Sequence, residues 1–187
     1  KWHYWKTTMR RTPPLPLLAL PQPLSATAAG DWVHPDGRPV AQTESMKARD
    51  GFGASLLVTT DRDWLAKWQT PAETTPQFTV ASEVHAGDQV SILAFVSNPK
   101  LDANGVAHVQ CDVRLTLPDG SVATEQKDLP CVNAALNGPA HQVFLTNLRI
   151  EFTAQADAPK GTWTVYVVAR DTLRGVSLPL QASYELR

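Results

Sequence analysis

The sequence predicts an all-β protein, an antiparallel β-sandwich of about seven to eight strands with one short helix towards its N-terminal side. Three observations carry this. Apolar residues recur at every second position in stretch after stretch, the period of a strand with one face on a core. Pro, Gly, Asp and Asn clusters punctuate those stretches at short intervals. Helical periodicity is confined to a few residues near Trp64. The clearest strand lies in residues 159–171. A Pro-Lys-Gly turn precedes it, and Trp163, Val165, Val167 and Ala169 share one parity. Thr162, Thr164 and Arg170 share the other, while Tyr166 and Val168 interrupt that polar face. Such a strand belongs in the centre of a sheet, partly covered on both sides.

Composition narrows the class. The chain has 187 residues, about one domain's worth, and 43% are apolar, enough for a core. A net charge of -1 lacks the basic excess that phosphate neutralisation demands, so nucleic acid is not an expected partner. No apolar run reaches the roughly 18 residues of a membrane span.

Residues 1–8 read as an upstream, tag-like or untranslated segment. Residues 9–28 read as a signal peptide: Met9-Arg10-Arg11, an apolar stretch over 15–24, and Ala26-Thr27-Ala28 as a small-x-small cleavage site. Pro13, Pro14, Pro16, Pro21 and Pro23 oppose the helix that such a stretch prefers, so a Pro-rich leader is the alternative. Export to the periplasm or beyond is the expectation. Cys111 and Cys131 fit it: they pair as a disulfide if the compartment is oxidising and are buried free thiols if not.

In order along the chain, residues 29–73 form an N-terminal arm, a strand over 53–60 and a short helix over 64–68 that Asp61 or Asp63 can cap. His34-Pro35-Asp36-Gly37 is a turn within that arm. Pro71 ends the helix, and residues 70–76 are a polar connector that sets the boundary of a sandwich over 74–187. Further strands are expected over 78–84, 89–97 and 106–117. A short polar edge strand over 121–128 follows, then a loop over 133–140 and strands over 142–153 and 176–186. Pro179 marks an outer edge, where a missing amide donor does least harm.

Residues 84–92 (Val-His-Ala-Gly-Asp-Gln-Val-Ser-Ile), 113–120 (Val-Arg-Leu-Thr-Leu-Pro-Asp-Gly) and the Pro-x-Gly-x-Trp hairpin at 159–163 resemble the opening, middle and closing strands of bacterial immunoglobulin-like and macroglobulin-type domains. The likeness covers about residues 78–187. It implies an immunoglobulin-like sandwich used as a spacer or binding surface. The macroglobulin Cys-Gly-Glu-Gln thioester run is absent, so covalent trapping is not implied.

Catalytic and metal motifs are weak. There is no Gly-x-Ser-x-Gly elbow, and His85, His108 and His141 stand at turns or strand ends, where surface roles suffice. Asp102-Ala103-Asn104-Gly105 holds part of a calcium-loop spacing but lacks its closing Glu, and it reads first as a turn. No enzyme activity, cofactor or metal is expected. Two functions remain. One is a non-catalytic module that binds or positions an envelope protein, with residues 121–128 or the C-terminal strand as contact edges. The other is a carbohydrate-binding module in which Trp64 and Trp68, four apart on one helical face, stack on a sugar; burial of both rings is the structural alternative. Tyr166 is a candidate for a partner surface.

Overall fold

The computed structural model describes residues 41–70, 76–140 and 142–187. The leader, the turn at 34–37, Pro71 and His141 lie outside the described residues. Nine strands and one helix follow in order: β1 (Met46–Arg49), β2 (Phe52–Thr59), α1 (Trp64–Trp68), β3 (Glu83–Val84), β4 (Gln89–Ser97), β5 (Val106–Thr116), β6 (Val122–Ala135), β7 (Val143–Thr153), β8 (Gly161–Asp171) and β9 (Val176–Leu186). They form two stacked sheets, β1-β2-β4-β7 and β3-β9-β8-β5-β6. All pairs are antiparallel except β3 with β9. This is the all-β, largely antiparallel sandwich that the alternation predicts.

Alternation explains the core. Ile92, Ala94 and Val96 of β4 face Val109, Cys111 and Val113 of β5, Val165 and Val167 of β8, and Leu178 and Leu180 of β9, all buried in one cluster. Trp163 shares that parity but is only partly buried, stacked on Tyr184 with 6.3 Å between ring centroids. Its indole N–H donates to the Pro159 carbonyl at 2.9 Å, which fastens the turn before β8.

Four details depart from the sequence reading. Residues 46–49 are a strand and not arm: Asp50 (φ 52°) and Gly51 (φ 84°) form a two-residue turn that folds β1 onto β2. Asp-Gly is the turn this geometry selects, because both positions need positive φ. β2 pairs with β4 from Gly53 to Thr59, so the sandwich draws strands from both sides of residue 74. The expected strand over 78–84 shrinks to β3, because this segment changes sheets. The Ala81 N–H donates to Val58 in one sheet, and one residue on, the Ser82 carbonyl accepts from Glu185 in the other. The expected edge strand over 121–128 and part of the loop over 133–140 are one strand, β6, which passes Pro130 by irregular pairing.

Pro179 has only β8 beside it, since β3 reaches β9 at Glu185 and Leu186 alone. β9 is thus not the outer strand that Pro179 marked in the sequence, but the proline falls on a stretch of it with no second ladder beside it. A buried charge ties the loops at one end. Asp171, fully buried, accepts from the Lys100 and Arg174 backbone amides at 2.7 and 3.0 Å and from Arg174 Nε at 3.3 Å. Arg174 also donates to the carbonyls of Asp50 and Asn98, at 2.9 and 3.0 Å.

Candidate functional site

The aromatic helix resolves first. Trp64 and Trp68 are 4% and 3% exposed. They lie on the outer face of the four-stranded sheet against Leu93, Phe95 and Val143. The ring centroids of Trp68 and Phe95 are 5.0 Å apart, and the Arg149 guanidinium stands 5.8 Å from the Trp64 ring. Rings this covered present no open face to a sugar, so the stacking platform expected of Trp64 and Trp68 is not formed. The signal for this second core lay in β4. Leu93 and Phe95 fall on the parity opposite to Ile92 and Ala94, which marks a strand covered on both faces.

The expected side-chain cap on α1 is also replaced. Asp63 holds the cap position without a side-chain bond, and Asp61 turns to Lys67 and Thr79 instead. The Asp61 carboxylate accepts from the Thr79 amide and from Lys67 Nζ, both at 2.8 Å. Burial raises its pKa, but the bonds from Lys67 and Thr79 outweigh this and hold it below the usual carboxylate value. Beside Trp68 an apolar hollow of about 360 Å³ opens, with Leu57, Phe78, Phe95, Met46 and Val143 among its walls. Its size lies at the low end for small-molecule sites.

Tyr166 lies on the outer face of the five-stranded sheet, half-buried, with the Arg114 guanidinium 4.7 Å from its ring centre. Along the same face Arg170 grips Asp112 through both of its terminal nitrogens and reaches Asp128 at 2.8 Å. The Arg170 hydrogen bond, offset in part by burial and helped by the Asp128 amide, pulls the Asp112 carboxyl down to about 2. The structure does not bring Tyr166 near the tryptophan pair; they stand on opposite outer faces.

The remaining candidates are occupied locally. Asp102 accepts from the Asn104 and Val106 amides at 2.8 and 3.0 Å and sits 3.0 Å from His108 Nε2. The Val106 and His108 contacts keep its carboxyl below its ordinary pKa. Those bonds make 102–105 a turn. His85 sits 3.2 Å from Glu83 and 3.8 Å from Asp88. Among the described residues no group of three or more His, Cys, Asp or Glu side chains could hold a metal ion. No described helix is long and apolar enough to cross a membrane.

An open sheet edge lies on the other flank. β6 is the end strand of its sheet, and every residue from Val122 to Asp128 is exposed. The disulfide Cys111–Cys131 ties β6 to β5, with both sulfur-bearing side chains buried in the core. β7, the end strand of the other sheet, lies alongside, and Asn147 Nδ2 donates to the Pro130 carbonyl at 3.3 Å. Between the two edges runs a cleft of about 540 Å³. Val113, Leu129, Leu148 and Ile150 contribute apolar walls, and Gln126 and Glu151 polar ones. The sequence showed the edge through its polarity but not the cleft, which depends on how two separate sheets meet.

A scan against protein-family models finds no match, and a search of the curated proteins finds none. Among solved structures, a family 123 glycoside hydrolase from Clostridium perfringens aligns with 72% of this chain and 27% of its own, at 10% identity and TM-score 0.38. A CARDB domain from Pyrococcus furiosus, in complex with di-metal ions, aligns over 79% of this chain and 99% of its own, at 9% identity and TM-score 0.38. A β-glucosidase from Listeria innocua aligns over 97% and 22%, at 11% identity and TM-score 0.36. The chain thus spans 27% and 22% of the two glycosidases it resembles. Likeness at these scores carries no argument about activity or ligand.

Proposed function

We propose that this chain is an exported, non-catalytic immunoglobulin-like module that binds or positions a protein partner in the cell envelope, either in the periplasm or after secretion. The observation that carries the reading is the edge of β6: an end strand, exposed from Val122 to Asp128, beside a cleft with apolar walls. A sheet edge offers backbone donors and acceptors to an incoming strand, and the cleft can take alternate side chains. Two features support export: the buried disulfide, which suits an oxidising compartment, and the leader at residues 9–28. The resemblance to bacterial immunoglobulin-like and macroglobulin-type domains supports a role as spacer or binding surface. The C-terminal strand is the poorer contact edge, because β3 and the bond from the Gln181 amide to Glu44 already occupy parts of its open side.

In-cell photo-crosslinking tests this. A photoreactive residue at Val122 or Lys127 is expected to give one discrete protein adduct, and the same residue at Glu44, beside β1, none. Absence of adducts from β6, or the same adducts from all three positions, counts against a β6 contact.

A further inference from the structure

We infer that the partner on the β6 edge is a second copy of this chain, joined antiparallel about a twofold axis through Gln126. The inference rests on the reading of β6 as the contact edge. The charge pattern along the strand carries it. Pairing against β5 shifts register between Leu115 and Thr116 and again between Cys111 and Val113, so within the exposed stretch 122–128 the regular part of β6 is Thr124-Glu125-Gln126. Glu125 and Lys127 are two residues apart on one face, with Nζ 3.9 Å from the carboxylate, and both are exposed.

In an antiparallel pair centred on Gln126, Glu125 of each copy lies opposite Lys127 of the other, which makes two complementary cross-strand pairs. Centring the pair on Glu125 sets two carboxylates face to face. Directly opposed unlike charges stabilise a strand pair and like charges oppose it, so the pattern selects one register. The isologous geometry also closes the edge, since each copy covers the other's open backbone and neither leaves a free end there. Val122, 52% exposed, is the large apolar side chain at the start of the same strand. One short strand pair buries less than a standard interface of about 1,600 Å², so a weak, reversible association is expected.

Sedimentation equilibrium of the purified chain from about 5 to about 500 µM reads this directly, as a monomer–dimer equilibrium. E125K and K127E should each raise the dissociation constant about tenfold, and E125K/K127E together should restore it to within about threefold. Thermal unfolding of each variant checks that the fold is intact, since Glu125 stands opposite Arg114 of β5. Gln126→Cys should form an interchain disulfide across the axis. A monomer throughout, or a dimer indifferent to either single change, or a double variant that stays weak, overturns the inference. The two readings separate cleanly. A monomer that still crosslinks to another envelope protein through Val122 sinks self-pairing alone, and a monomer without any adduct sinks both.

Discussion

Asp112 shows how one residue can carry a pH dependence. Its folded carboxyl titrates at about 2, against an ordinary value of 3.8. A lowered carboxylate pKa contributes stability that is complete above about pH 4 and is lost as the pH falls towards 2. Asp112→Asn should cost about 1 kcal/mol at neutral pH, a figure kept small because the pair is partly solvent-exposed. It should also flatten the stability curve between about pH 4 and 2, as read by urea denaturation across that range. Arg174 makes a different case. Its loss leaves Asp171 fully buried with one partner fewer, so Arg174→Ala should cost about 3 kcal/mol in a denaturant titration. Trp68→Ala removes a ring from a packed apolar cluster. It should destabilise by about 3 kcal/mol or more, and a variant of undiminished stability would show that the ring is not core.

At the scale of the element, β6 is long and exposed, yet it is held. It pairs with β5 through three irregularities, and Cys111–Cys131 fixes it to its neighbour across a sequence separation of 20. Replacing both cysteines by alanine should cost about 3 kcal/mol. It should also speed hydrogen exchange in β6 more than in β8, which lies between two partners. Equal acceleration in both strands would mean that the bond acts on the whole fold and not on the edge. β4 makes the complementary point. It is apolar on both parities because the core covers one face and α1 covers the other.

For the whole molecule, topology turns local strands into a usable surface. Both sheets end on the same flank, in β6 and β7, and there the sandwich leaves a cleft and an open edge. The proposed export is tested at this scale as well. Protein expressed with its own leader and recovered from the periplasm should begin near Ala29, with both cysteines unreactive to alkylation until reduced. An uncleaved chain with two free thiols would remove the envelope reading. Intact mass with and without reductant distinguishes the two.

By itself the sequence determined the fold class, most strand positions and the inward face of nearly every long strand. These depend on side-chain parity, which is a property of neighbours along the chain. Asp50-Gly51, and Leu93 with Phe95, were legible as well. They announced the first hairpin and a second apolar layer, and a stricter reading of turn chemistry and of both parities finds them. The tertiary structure alone decided that Trp64 and Trp68 are buried, since an amphipathic pair reads the same whether a sheet or a ligand covers it. It decided for the Cys111–Cys131 bond over the free thiols that the sequence left as the alternative, drew residues 46–59 into the sandwich and set β6 beside β7. Each of these is a contact between segments far apart in sequence. Long-range register follows from how whole sheets pack, and no local periodicity encodes it.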